Sequence, residues 1–237
     1  MIGQLVVNGI INASLIAPPA IAFSLLFGVL RFPNFAIGGY ITAGAFVAYA
    51  INVQLGLPLY VATVGAMAAM AVLVWLSDVI VFRPMRGQTP VTLLVVSIAL
   101  TLIIEQTIRL FYGANVRGFN LELQRPMRFW GVRITSEQVT IIVMAVAIAL
   151  AVHLMLRYTR TGKAMRATAD NPMLAGVRGI DTARVIGLTW CLCGALFGLT
   201  GVFAGLDLVI EPLVGWNLTI PIFAAAILGG IGSPYGA

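Results

Sequence analysis

Apolar runs of about 20 residues recur from one end of this chain to the other, the length that carries a helix across the hydrocarbon core of a bilayer. In lipid every backbone N–H and C=O must find its partner inside the protein, so such runs fold as helices and not as open strands. Composition agrees. Of 237 residues, 60% are hydrophobic and 9% charged, whereas a water-soluble domain needs about 25% charged residues to cover its surface. The sequence predicts an all-α polytopic membrane helical bundle, one domain over residues 1–237, with about seven spans near 2–30, 34–53, 58–82, 90–111, 136–156, 183–206 and 217–235. The first run has no basic n-region and no clear cleavage site, so it reads as mature structure and not as a signal peptide. Within it Pro18-Pro19 removes two backbone donors, which predicts two half-helices or a strong kink.

The net charge of +6 would suggest nucleic acid in a soluble chain; in a membrane protein the arginines report orientation instead. With residues 157–184 on the cytoplasmic side, alternation places Arg31, Arg83, Arg86, Arg157, Arg160, Lys163, Arg166, Arg178 and Arg184 there. Arg109, Arg117, Arg125, Arg128 and Arg133 fall on the other side, and the N-terminus lies outside. The basic segment 157–184 itself reads as helix, turn, helix. Thr161 caps a short helix through Ala169; Asp170-Asn171-Pro172 stops it and restarts the chain with Asn171 as N-cap and Pro172 in the first helical position. Gly179 serves as a C-terminal cap, and Asp181 caps the next span.

The chain resembles the permease subunits of branched-chain amino acid ABC importers. The segment Thr161-Gly162-Lys163-Ala164-Met165-Arg166-Ala167, continued by Asn171-Pro172-Met173-Leu174-Ala175 and Gly179-Ile180-Asp181, is similar to their cytoplasmic coupling loop. Asn34-Phe35-Ala36 with Gly38, the run Phe82-Arg83-Pro84-Met85-Arg86-Gly87, Leu110-Phe111-Tyr112-Gly113-Ala114, and Leu228-Gly229-Gly230-Ile231-Gly232-Ser233 with Gly236-Ala237 match in the same order, over nearly the whole chain. Two features depart from the pattern: Ile37 stands where the family usually carries histidine, and Pro18-Pro19 is unusual. The family continues through at least one more span beyond Ala237, so the resemblance implies a missing C-terminal part or a shorter member.

What the resemblance implies is a transport subunit without its own catalytic site, in the bacterial inner membrane. A second, homologous permease subunit, two cytoplasmic ATPase subunits and a periplasmic substrate-binding protein are its implied partners. Branched-chain or other apolar amino acids are the implied substrates, with urea or short amides as the alternative. No phosphate-cradling GxxxxGK[ST] motif occurs, as expected where hydrolysis resides in partner subunits. Gly162, Lys163, Arg166, Ala167, Asn171, Pro172 and Gly179 are then the coupling residues. Gly162 and Ala167 admit a groove of the ATPase, and Arg166 reaches its acidic rim.

Other candidates come from the residues themselves. Gly187, Cys191, Gly194, Gly198, Gly201 and Gly205 repeat at four, three, four, three, four, which flattens one helix face and permits close backbone approach, as a plain packing contact or a sliding seam. Gly229, Gly230, Gly232 and Gly236 suggest backbone that bends near the pathway. For a zwitterionic substrate, Asn34, Ser97, Thr101 and the Pro221 region offer hydroxyl, amide and helix-end dipoles. Asp78 is expected to pair with a nearby arginine such as Arg83, and Glu105 with Arg109 four residues on. Asp207, Glu211 and Trp216 occupy an external loop, where a receptor docks or where they are only solvated. Cys191, Cys193 and the single His153 read as packing residues; no metal site or cofactor is expected. A secondary transporter would need midplane carboxylates or histidines and inverted repeats, of which only Glu105 is present; an intramembrane enzyme would need a convergent nucleophile and base.

Overall fold

The computed structural model describes residues 2–120, 127–129, 132–232 and 236. Arg125, Ser233 and Ala237, which entered the readings above, lie outside the described residues. The helices are α1 (Ile2–Leu30), α2 (Ile37–Tyr49), α3 (Leu59–Ser77), α4 (Pro90–Tyr112), α5 (Ser136–Tyr158), α6 (Arg160–Asp170), α7 (Pro172–Val177), α8 (Thr182–Asp207) and α9 (Val214–Gly229). A π-helical turn extends α2 to Gln54, and π and 3-10 turns carry α3 on to Met85. Between α4 and α5, strands β1 (Met127–Phe129) and β2 (Val132–Ile134) pair antiparallel. Five helical stretches are long and apolar enough to cross a bilayer, among them Leu59–Met85; α2 with its π turn and the 16-residue α9 are shorter. Among the described residues the expected seven spans thus resolve into five of full length and two short apolar helices, in a polytopic helical bundle.

Local chemistry sets most helix starts. Thr89 accepts from the Thr92 amide ahead of Pro90, Thr135 and Gln138 form a reciprocal capping box on α5, and Asp181 caps α8 through the Arg184 amide. The cap of α6 is Thr159, not Thr161: its hydroxyl accepts from the Gly162 amide at 3.0 Å. The earlier threonine wins because α5 ends at Tyr158, leaving Thr159 extended between two helices.

The Pro18-Pro19 pair does not break α1, which runs on as one helix. Both prolines have the helical φ built in; what they forfeit is the donor for the Ser14 and Leu15 carbonyls. Residues 18–26 are buried without interruption, and α1 packs on α5, α8 and α9, so surrounding protein holds the helix where it lacks those two bonds.

At the centre α2 and α8 cross. Residues 36–46 of one and 196–204 of the other are wholly buried, while α4 and α5 present Val91, Val95, Leu102, Val143, Val146 and Leu150 outward. Lipid solvates such faces, so the helices are held by backbone proximity more than by exclusion of water. A Cβ on Gly198 would lie 2.6 Å from the Ala66 carbonyl oxygen of α3, and one on Gly194 2.5 Å from that of Met70. A Cβ on Gly44 of α2 would meet the Gly198 Cα at 2.9 Å, and one on Gly201 would fall on the backbone of Ala45. The glycine-rich face therefore does not meet a single partner. Gly187, Gly194 and Gly198 face α3, Gly201 turns to α2, Gly205 abuts the Phe119 ring, and Cys191 is half-buried. A second close crossing joins α2 to α9, where a Cβ on Gly215 would strike the Gly38 carbonyl; there Thr42 Oγ1 accepts from the Gly215 amide at 3.1 Å. Beyond α9 the chain turns at Gly230, whose φ of 97° no residue with a Cβ readily adopts.

Gly198→Val is expected to destabilise the protein by about 1–3 kcal/mol, the usual cost of overpacking a filled interior. Gly187→Ala, whose new methyl would sit 3.4 Å from Trp75 Nε1, is expected to be tolerated. Thermal unfolding in detergent, followed by the fraction remaining monodisperse, checks the contrast.

Candidate functional site

Two places in the bundle hold chemistry that packing alone does not explain. The first is the interruption between α1 and α2, residues 31–36. Its backbone is satisfied by side chains of α4: the Phe35 amide donates to Ser97 Oγ at 2.9 Å, and Thr101 Oγ1 donates to the Phe35 carbonyl at 2.9 Å. Asn34 Oδ1 accepts from the Ala36 amide at 2.9 Å, which leaves the Asn34 Nδ2 group, in a residue 1% exposed, with no hydrogen-bond partner. Aromatic rings close one side: Phe35 stacks on Phe223 with centroids 4.4 Å apart, and Phe23 lies 4.4 Å from the same ring. The arrangement is a small buried polar cluster with donors on an amide and an apolar aromatic wall, suited to an amphipathic molecule with an acceptor at one end.

The structure thus brings Asn34, Ser97 and Thr101 together, but not Pro221. Its side chain is exposed on the far face of α9, and Phe223, two residues on, is the one that reaches the cluster. Successive residues at spacing four line the buried face of α4, and the next after Thr101 is Glu105, 2% exposed. Its expected ion pair with Arg109 is not formed: Glu105 Oε1 and Arg109 Nε are both buried without a hydrogen-bond partner. The i, i+4 spacing permits that pair, but the carboxylate is buried without it. Asp78 is also partnered differently. Arg86, not Arg83, donates to both of its oxygens at 2.7 and 2.6 Å, because the π and 3-10 turns after α3 swing Arg86 back over the helix end while Arg83 stays exposed.

The second place is the α6–α7 element. Asn171 Oδ1 accepts from the Met173 and Leu174 amides at 3.0 and 3.1 Å, Pro172 opens α7, and Gly179 (φ 82°) ends the unit. Gly162, Met165 and Thr168 turn inward. A Cβ on Gly162 would sit 2.5 Å from the Leu156 Cα, so this glycine lets α6 fold back on the end of α5 and is not open to a partner's groove. Arg166 lines a cavity of about 290 Å3 between α6 and α1, with Ser24, Gly28, Met165 and Asp170 also on its wall. Lys163 and Arg166 are exposed and Ala167 is half-buried. The reading from sequence missed the apolar crest of α7: Met173, Leu174 and Val177 are 82%, 61% and 81% exposed. Three large apolar residues on a six-residue helix between charged flanks were the available signal.

At the other end of the bundle Arg117 draws the chain together. It donates to Tyr49 Oη at 2.9 Å and to the Tyr112 carbonyl at 2.7 Å, and its guanidinium lies over both rings. Asp207 accepts from Gln138 Nε2 of α5 at 3.0 Å, Glu211 from Asn217 Nδ2 at 3.3 Å, and Trp216 is 39% exposed, so both acids carry hydrogen bonds within the chain.

Comparison with known proteins supplies the remaining observation. Residues 5–237 match the family described as branched-chain amino acid transport system / permease component. The high-affinity branched-chain amino acid transport system permease protein LivH of Escherichia coli K12 is 29% identical over 254 residues, covering 99% of this chain and 80% of that one. BraD of Pseudomonas aeruginosa, described in the same words, is 28% identical over 251 residues, covering 99% and 81%. A probable branched-chain amino acid transport permease protein of Methanocaldococcus jannaschii is 28% identical over 236 residues, covering 94% and 73%. No solved structure matches.

Ser97→Ala removes the acceptor of the Phe35 amide. With a hydrogen bond worth about 1 kcal/mol lost, exchange of that amide is expected to rise roughly fivefold. Hydrogen–deuterium exchange on a peptide covering 31–37 measures it, with α8 peptides unchanged as the control.

Proposed function

This chain belongs to the permease-component family of branched-chain amino acid transport systems, and we propose that it is the membrane-embedded pathway subunit of an ATP-driven importer for branched-chain or related apolar amino acids. In this reading the subunit lies in the bacterial inner membrane, pairs with a second, homologous permease and receives substrate from a periplasmic binding protein. It performs no hydrolysis itself; two ATPase subunits on the cytoplasmic side supply it. The relatives' names favour amino acids over urea or short amides.

The observation that carries the proposal is the α6–α7 element. Met173, Leu174 and Val177 are exposed together, and with α7 outside the membrane, as this reading has it, they present apolar surface to water that a soluble partner relieves by covering it. Asn171 and Gly179 fix the crest at both ends, so it moves as a rigid knob with α6. Lys163 and Arg166 add positive charge for an acidic rim. On the pathway side, the unpartnered Asn34 amide is a donor for a carboxylate, and Phe23, Phe35 and Phe223 are an apolar wall for an aliphatic side chain.

Leu174→Asp or Val177→Asp is expected to leave the subunit inserted and as heat-stable as the parent, since neither side chain packs on the bundle, while co-purification of the ATPase falls at least roughly tenfold, the effect of losing one interfacial anchor. Undiminished co-purification in both variants rules out α7 as the docking crest. Thr101→Val keeps shape but deletes the donor to Phe35; it is expected to lower amino acid uptake in vesicles with the ATPase still bound, and unchanged uptake kinetics remove Thr101 from the site.

A further inference from the structure

One side chain ties the polar interruption to the α6–α7 element. Arg31 directly follows α1, and its Nη2 donates to the carbonyl oxygens of Ala169 at 3.2 Å and Asp170 at 3.1 Å, the last two residues of α6. Those carbonyls would ordinarily accept from the amides four residues on. The amides of Met173 and Leu174 are already taken by Asn171 Oδ1, so the helix end is left with acceptors and the negative pole of its dipole, which a guanidinium answers on both counts.

The backbone at Arg31 is unusual as well. Its φ is 57°, the one positive value at a non-glycine residue among the described residues. A residue with a Cβ keeps that conformation only where its surroundings impose it, and such positions cluster where structure switches. The chain then leads straight to the polar cluster. Phe32 is buried against Phe82, with centroids 5.5 Å apart; Pro33 stiffens the next step; Asn34 carries the unpartnered amide; and Phe35 is gripped at both its N–H and its C=O by Ser97 and Thr101. Between the α6 carbonyls and the backbone held by α4 there is therefore little slack.

We propose that Arg31 is a positioning residue of the transport cycle: a strut that carries displacement of the α6–α7 element into residues 31–36 and so moves Asn34 and Phe35 within the pathway. This rests on the reading of α6–α7 as the ATPase-docking element. A guanidinium that only capped α6 would steady the helix and nothing more. The strut differs in making the two ends move together.

The test uses the complete complex, with its ATPase and binding-protein partners, in proteoliposomes, and reads leucine taken up per ATP hydrolysed. Arg31→Gly accepts the same backbone conformation without strain and removes the guanidinium. Assembly and binding-protein-stimulated hydrolysis are expected to persist while uptake per ATP falls roughly tenfold, within the usual range of coupling between sites. Arg31→Lys keeps the charge but lacks the planar fork, and is expected to give an intermediate ratio; it decides the matter alone if the glycine variant does not assemble. An unchanged ratio overturns the proposal, as does a parallel fall in hydrolysis and uptake, the signature of a lost cap. Leu174→Asp in the same preparation separates the two readings. If it leaves the ATPase bound, the docking reading fails; if it releases the ATPase while the Arg31 variants retain the parental ratio, the strut alone fails.

Discussion

Inside a bilayer a backbone amide has no water to fall back on, and the break in helix between α1 and α2 obeys that constraint through three side chains. Asn34 turns back on the Ala36 amide, and Ser97 and Thr101 take both polar groups of Phe35. For two hydroxyls four residues apart to do this, α4 must lie close against the start of α2. It does so at Gly39, where a Cβ would come within 3.1 Å of the Thr101 Cα. The polar cluster is therefore a consequence of helix packing: the glycine admits α4, α4 brings the hydroxyls, and the hydroxyls make the irregular backbone tolerable where helix would otherwise be required.

The same economy of side chains holds α2 on its other faces. Gly44 meets Gly198 of α8, Ala45 meets Gly201, and Gly38 meets Gly215 of α9. Contacts of this kind gain dispersion energy from backbone against backbone and resist separation, because lipid offers chains of no better fit. With α2 pinned by α4, α8 and α9 at once, a change at its N-terminal end acts on the helix as a whole. The short interruption before it is held by side chains and not by helix crossings, which is why its attachments to α4 and α6 matter more than its length suggests.

The apolar runs made the helical spans legible, and the asparagine-proline restart, Gly179 and Asp181 were legible because caps are set within three or four residues of sequence. What was not legible depended on the third dimension. Pro18-Pro19 reads as a break until α5, α8 and α9 are seen around it. Asp78 has two arginines within reach along the chain, and only the π and 3-10 turns select Arg86. Glu105 and Arg109 have pairing spacing on a lone helix, yet in the bundle Glu105 Oε1 and Arg109 Nε are buried without a hydrogen-bond partner. Gly162 looks like an open approach for a partner and is in fact the contact that lets α6 fold onto α5. In the candidate site the polar residues of α4 and Asn34 were foreseen by type, whereas Phe223 was not, since nothing in an apolar helix marks the one aromatic ring that faces a polar cluster.

The two ends of the bundle are built on opposite principles. At the end that carries residues 113–120, Arg117 binds the ends of α2 and α4 through Tyr49 and Tyr112, its backbone pairs with that of Ile210 beyond α8, and Asn52 accepts from the Asn120 amide at 3.0 Å. Three helix ends there are closed on one another by bonds internal to the chain. At the opposite end Asp78 and Arg86 close α3 upon its own continuation, and the apolar crest of α7 is left exposed by the described residues. Apolar area left in water costs roughly 25 cal/mol per Å2, which is what the proposed docking of a partner on this crest would recover. If an ATPase docks at α7 as proposed, one end is completed by its own residues and the other by association.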